Sequence, residues 1–263
     1  MAEIESRANE RLKRLRKLRT RRARDDEGVF LIEGYREVKR AAEAGVVIEE
    51  LFCSPSLYLG GNEPALVASI KSQQHEVGPE AFASVATRDR PDGLIAVARQ
   101  FDTGLDAQPP TDAFILVAEG VERPGNLGTM LRTACAAGVT GVIAADPQTD
   151  VFAPEVVRAS VGTLFAQPLS VASAADAVAW LKDNGVQIVT ASPDGDRPYW
   201  DADLTKPSAI VVGSEQHGVT PRWFDAADAV VSIPMAGVDS VNVAAAAAVL
   251  LFDAVRQKRR SGW

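Results

Sequence analysis

Apolar and polar positions fall into alternating blocks along this chain. Short, mostly apolar runs occur at Val29–Ile32, Val46–Phe52, Leu94–Ala98, Phe114–Ala118, Gly141–Ala145, Gln187–Thr190, Ile210–Val212 and Ala229–Ile233. Each has strand length, and most are continuous rather than alternating, as expected of strands buried on both faces. Between them the apolar spacing becomes helical. The pattern predicts a helix over Gly34–Ala44, with Tyr35, Val38, Ala41 and Ala42 on one face and Gly45 as its stop. Further helices are expected at Pro64–Gln73, Pro79–Val85, Asn126–Ala137, Ala174–Asn184 and Pro221–Ala227, and from Asn242 to about Lys258. Strands that alternate with helices give an α/β fold. Residues 101–112 lose periodicity and gather Pro and Asp, which marks a linker. We therefore expect a small α/β domain over 1–105. A second domain over 112–263 is expected to be a parallel sheet with helices on both faces.

Composition narrows the class only slightly. Of 263 residues, 46% are hydrophobic and 24% charged, ordinary values for a globular protein able to bury a sizeable core. No run approaches the roughly 18 apolar residues of a membrane span, and the Ala-rich stretch Val243–Phe252 is too short. The start has no apolar segment after its positive stretch, unlike a secretory leader. Glu3, Glu5 and Glu10 set it apart from an acid-poor presequence. Cys53 and Cys135 offer neither a disulfide framework nor metal spacing, and Cys135 reads as helix packing. The only histidines, His75 and His217, lie far apart in sequence, and His217 reads as a loop residue, so no metal is expected. A reducing cytoplasm suits such a chain.

Charge changes the picture more. The net charge is −7, yet residues 11–24 contain nine Lys or Arg and no acid. Taking those nine from the 28 basic residues leaves 19 against 35 acidic ones, or −16 for the rest. The chain reads as an acidic body with a basic arm, and clustered charge matters more to phosphate than the total. Leu12, Leu15 and Leu18 would share one stripe of a helix. Two readings stand: a solvated helix with its leucines on the core, or a phosphate-contacting helix through Arg11, Lys13, Arg14, Arg16, Lys17, Arg19, Arg21 and Arg22. A membrane-surface helix is disfavoured because the stripe has no bulky aromatic.

The candidate chemistry lies in three polar, glycine-containing breaks. The first, Asn126–Ala134, follows a strand; Asn126 stands where an N-cap belongs, and Arg132 supplies a guanidinium near a helix start. The second, Gly213–Gly218, places Glu215 between two glycines after another strand, able to orient a hydroxyl or pair with Arg132. The third, Ile233–Val243, begins with an apolar floor of Ile233, Pro234 and Met235, then puts Ser240 and Asn242 before the last helix, where either suits a cap. Singly, each break is explained by a turn, a cap or a surface charge. Three such loops at strand ends suggest one pocket at a sheet's edge. Arg158, after Pro154 and Glu155, is a further candidate for a phosphate.

Together these segments closely resemble the motifs of the SpoU (TrmH-type) branch of the SPOUT methyltransferases. The matching residues are Asn126-x-Gly128-x-x-x-Arg132-Thr133-Ala134, Gly213-x-Glu215-x-x-Gly218, and Ile233-Pro234-Met235-x-Gly237 followed by Ser240-x-Asn242-Val243. The likeness spans roughly residues 114–258. Phe30–Gly34 and Ile48–Phe52 more loosely resemble the L30e-like substrate-binding domain often fused in front. Val241 departs from the usual Leu, and Glu119 from a common Asp.

The resemblance implies an RNA ribose 2′-O-methyltransferase that uses S-adenosylmethionine, works as a cytoplasmic homodimer and has a C-terminal trefoil knot. It assigns Arg132, Asn126, Glu215, Ser240 and Asn242 to catalysis. It places the cofactor against Thr190, Ala191, Gly213, Ile233, Met235 and Val241. Ribosomal RNA, 23S above all, is the favoured substrate. Transfer RNA methylation and a non-catalytic ribosome-assembly role are the alternatives. A nucleotide-dependent oxidoreductase is disfavoured, since residues 120–128 lack the Gly-x-Gly-x-x-Gly turn.

Overall fold

The computed structural model describes residues 3–109 and 111–262. Pro110 of the expected linker, Met1, Ala2 and Trp263 lie outside the described residues. In chain order the elements begin with α1 (Glu10–Lys17), α2 (Arg21–Glu27), β1 (Val29–Glu33), α3 (Tyr35–Glu43), β2 (Ile48–Cys53), α4 (Glu63–Ser69), β3 (Gln73–Glu76), α5 (Pro79–Ala83) and β4 (Leu94–Arg99). They continue with β5 (Phe114–Glu119), α6 (Pro124–Ala137), β6 (Gly141–Ala145), α7 (Pro154–Ala159), β7 (Leu169–Ala172), α8 (Ala174–Asp183), β8 (Gln187–Ala191), β9 (Arg197–Pro198), β10 (Ser208–Val212), α9 (Pro221–Ala226), β11 (Ala229–Ser232) and α10 (Val243–Arg260). These form two compact units. The first holds the described residues up to Phe101 together with Asp150–Ala166, and the second holds Asp102–Thr149 and the chain from Gln167 onward.

The first unit is a sheet of order β1-β4-β2-β3. β4 runs antiparallel to β1 and β2, and β3 runs parallel to β2. The leucine stripe of α1 turns inward. Leu12, Leu15 and Leu18 are buried in a cluster with Val29, Leu31, Phe52, Phe82 and Val97. Residues 11–24 do not form one helix. α1 ends at Lys17 with Leu18 as its C-cap, and Thr20 starts α2 by accepting the Ala23 N–H at 3.4 Å.

Many of the cations here hold the unit together, which corrects the expectation of an arm. Arg24 is 2% exposed; it pairs with Asp150 and donates to the carbonyls of Leu18 (3.0 Å) and Arg19 (2.7 Å). Arg14 bridges Glu27 at 2.7 Å and Glu50, and Glu50 also bonds His75 at 2.8 Å. Arg16 and Arg19 donate to Arg7, Val85 and Ala86 carbonyls at 2.6–2.8 Å. Such charges are bonded before any ligand arrives.

Two differences from the sequence expectations have plain causes. The helix expected over Pro64–Gln73 stops at Ser69, and Gln73–Glu76 is strand β3. β3 is a polar edge strand with only His75 buried, so hydrophobic periodicity does not signal it. The short α7 and β7 also went unmarked. The segment around α7 joins the first unit through an aromatic cluster, where the rings of Phe152, Phe165 and Phe101 lie 5.1, 6.0 and 6.3 Å from that of Phe30.

The second unit is a sheet of order β7-β6-β5-β10-β8-β11-β9 in which every pairing is parallel. β5, β6 and β10 are buried at every position, as their unbroken apolar runs predict. α8 and α9 cover one face with Leu181 and Trp223 over Ile143, Ile188 and Val211. α6 and α10 pack on one another, and α10 packs on β10 at the other face. The register sets the site. Ala118 of β5 is paired with Val212 of β10, Val211 with Thr190 of β8, and Ala191 with Val231 of β11. Four parallel strands thus end side by side, and the loops that follow them open at one edge.

Candidate active site

All three polar breaks follow strands that end at this edge. α6 starts with Pro124 at its first turn, and Arg123 holds the N-cap position without a side-chain cap. Asn126 is therefore not the cap that the sequence suggests; it lies within the first turn and reaches across the site. Its Nδ2 donates to Oε1 of Glu215, and its Oδ1 accepts from Nδ2 of Asn242 at 3.1 Å. Asn242 does cap α10: its Oδ1 accepts the Ala244 N–H at 2.9 Å. One residue from each break thus joins a single chain of hydrogen bonds, Glu215–Asn126–Asn242.

Glu215 takes a further N–H from Glu122 at 3.4 Å. Partial burial alone would raise its pKa. The bonds from Asn126 and from backbone N–H groups, those of Glu122 and Arg123 among them, outweigh that and hold it below the usual range. It is a carboxylate at neutral pH. Its partner is a neutral amide and not Arg132, which corrects that sequence-based option. Arg132 is exposed on α6 and makes no hydrogen bond or ion pair among the described residues. An exposed cation with no side-chain partner, on the helix that carries Asn126, is free to take a phosphate.

The loop that carries Glu215 is closed tightly. Ser214 and Gly218 exchange backbone bonds of 2.9 and 3.1 Å. A Cβ on Gly213 would lie 2.0 Å from the Gly218 carbonyl carbon, so no larger residue fits there. Gly218 sits at φ +65°, in the left-handed region.

The expected cofactor contacts divide into two sets. Thr190 is fully buried, donates its hydroxyl to the Trp223 carbonyl at 3.2 Å and has strands paired on both sides, so it offers a ligand no free polar group. Gly213 is buried, while Ala191, Ile233 and Met235 are half-buried. Val238 is 62% and Val241 41% exposed. Apolar groups left in water beside main-chain donors and acceptors fit a flat heteroaromatic ring with a polar edge. Ser240 is exposed and has no hydrogen bond among the described residues.

The remaining phosphate candidates belong to the first unit. Arg11 and Lys17 are exposed with no side-chain partner among the described residues, and Arg158 is exposed on α7. Lys13, Arg21 and Arg22 face Glu10, Asp25 and Asp26 at 2.7, 3.4 and 3.8 Å. Among the described residues no group of three or more His, Cys, Asp or Glu is placed to hold a metal. Sequence reasoning gave no role to Glu119, which ends β5 and is buried with both oxygens on Thr220. A lone acid closing an apolar run was the available signal.

Comparison with known proteins places this geometry. Residues 113–252 match the model of the SpoU rRNA Methylase family, and residues 9–96 match the MRM3-like substrate binding domain. The 23S rRNA (uridine(2479)-2′-O)-methyltransferase of Streptomyces viridochromogenes is 32% identical over 250 residues, covering 92% of this chain and 87% of the relative. A crystal structure described as an RNA 2′-O ribose methyltransferase is 40% identical and superposes with a TM-score of 0.87 over 98% of this chain and all of that one. The SpoU methyltransferase AviRb from Streptomyces viridochromogenes, solved in complex with AdoMet, is 30% identical with a TM-score of 0.89, covering 97% of this chain and all of its own.

Proposed function

Because the chain belongs to the SpoU rRNA Methylase family, we propose that it methylates a ribose 2′-hydroxyl of ribosomal RNA, 23S RNA in the first place, with S-adenosylmethionine as donor. The observation that carries this reading is the bonded chain Glu215–Asn126–Asn242 at the edge where β5, β10, β8 and β11 end. Bound there, S-adenosylmethionine supplies an electrophilic methyl group on a sulfonium. The main chain at Ala191 and Gly213, with Ile233, Met235 and Val241, would hold it above the buried Thr190.

A ribose hydroxyl is a weak nucleophile while it keeps its proton. Arg132 is a poor base, since a guanidinium holds its proton firmly. Its part is to grip the phosphate beside the target ribose and to stabilise negative charge growing on the 2′-oxygen as the hydroxyl proton passes to solvent. Glu215 fixes the Asn126 amide, Asn126 fixes Asn242, and Ser240 presents a free hydroxyl. Together they orient the ribose, and positioning supplies much of the rate.

The first unit selects the RNA through its exposed cations, Arg11, Lys17 and Arg158 with the more loosely paired Lys13, Arg21 and Arg22. Arg14, Arg16 and Arg19 contribute after meeting their bonds inside the unit. The protein works as a homodimer in the cytoplasm. Support for the dimer is the apolar face of α10, where Val249 and Phe252 are 39% and 49% exposed. Among the described residues no helix is long and apolar enough to cross a membrane. The knotting of the C-terminal segment rests on family likeness.

Calorimetry with S-adenosylmethionine, followed by labelled methyl transfer to ribosomal and transfer RNA, tests the reading. Binding with label on 23S RNA is expected. Label on transfer RNA alone would move the substrate, and absence of binding would overturn the assignment.

A further inference from the structure

The Gly213–Gly218 loop is held at its tip by Glu215, but its far end is held from below. Glu119 ends β5 with its side chain 3% exposed and makes no ion pair among the described residues. Its Oε2 accepts the Thr220 N–H at 2.8 Å, and its Oε1 accepts the Thr220 hydroxyl at 2.6 Å. A buried carboxylate is costly unless its oxygens are bonded, and here two neutral donors from one residue meet it. Thr220 stands at the N-cap position of α9, two residues past Gly218, and its own hydroxyl caps nothing.

Glu119 and Glu215 therefore run in opposite senses between the same two segments. From the strand side, Glu119 pins residue 220. From the loop side, Glu215 reaches Glu122 and Asn126. The near end of the loop is fixed by the Ala118–Val212 pairing. Removing Glu119 would leave the sheet register in place and free only the segment between Gly213 and Thr220.

We infer that Glu119 is a positioning residue for the methyl donor: by clamping Thr220 it sets the shape of the Gly213–Gly218 loop on which the donor rests. This depends on the proposed function, since it takes that loop as part of the donor site. Glu119 lies beneath the loop and touches no reacting atom, so its loss should weaken donor affinity and spare the chemical step.

The test uses the full chain with E119L, T220V and the conservative E119Q, measuring the KM and Kd for S-adenosylmethionine, kcat for methyl transfer, and the melting temperature. E119L removes both acceptors and should raise KM and Kd about tenfold, with kcat within about threefold. T220V keeps the backbone donor and should raise them roughly threefold. E119Q can keep both contacts, its Oε1 accepting the Thr220 N–H and its Nε2 donating to the Thr220 hydroxyl, and should restore KM to within about twofold. A folded E119L with unchanged KM and Kd would overturn the inference, as would a fall in kcat at constant KM. Should E119L fail to fold, T220V decides alone: donor KM must rise with kcat intact, and an unchanged KM overturns the idea. A wild-type chain that binds no S-adenosylmethionine would take the parent reading down, and this one with it. Wild-type binding beside unaffected E119L and T220V variants would sink only this one.

Discussion

The two units use polar residues in opposite ways. In the first, charge is dense, yet Arg14 and Arg24 are bound by carboxylates and carbonyls of their own unit. In the second, polar residues at the sheet edge are sparse and mostly neutral. Asn126, Asn242 and Glu215 bond one another, while Arg132 stays exposed and unpaired. A cluster of cations in sequence measures how much charge is present, and the structure shows how much is left to spend. A guanidinium left unpaired on the helix that carries Asn126 says more about chemistry than nine cations counted within residues 11–24.

The comparison breaks most sharply at Arg132. If its charge is held in reserve for the transition state, Arg132→Ala should lower methyl transfer by about a hundredfold to a thousandfold. Donor Kd, read by calorimetry, should stay within about twofold because nothing in the fold relies on that side chain. A comparable loss of donor affinity would mean the residue builds the site rather than serving the reaction.

Leu15 probes the other unit. It is 2% exposed in a cluster reaching Phe82 and Val97. Leu15→Ala should cost roughly 2–5 kcal/mol in denaturant unfolding of the first unit. The same logic predicts that removing the basic segment would unfold this unit and not merely weaken its hold on RNA. A stability loss below about 1 kcal/mol would restore the picture of a detachable arm.

The smallest expected effects separate spent from unspent cations. Arg11→Ala and Lys17→Ala should each lower the slope of log affinity against log salt by about one, with no change in melting temperature. Arg14→Ala should instead lower the melting temperature, since it removes the partner of Glu27 and leaves Glu50 with His75 alone. If all three variants shift the slope alike and spare stability, the division drawn between them fails.

Much of the second unit is legible in sequence because a strand buried on both faces leaves an unbroken apolar run, as Phe114–Ala118 and Ile210–Val212 do. The three breaks are legible because glycines between such runs are hard to place elsewhere. What sequence withholds is pairing. Nothing in the order of residues says that Asn126 sits inside a helix turn that starts at Pro124, or that Glu215 chooses it over Arg132. β3 is hidden because edge strands need no apolar face, and the α7 segment because its partner Phe30 lies more than a hundred residues upstream. The first failure is one of polarity and the second one of distance in sequence, and composition and period are silent on both.

If Asn126 and Asn242, bonded across separate loops, orient the ribose as one unit, the effects of losing them must be coupled. A double-mutant cycle of Asn126→Ala and Asn242→Ala, read as kcat/KM for methyl transfer to 23S RNA, should show strong non-additivity, the double variant losing little more than either single one, with a coupling of about 1 kcal/mol or more. Losses that add to within about 0.5 kcal/mol would mean that the two residues act separately.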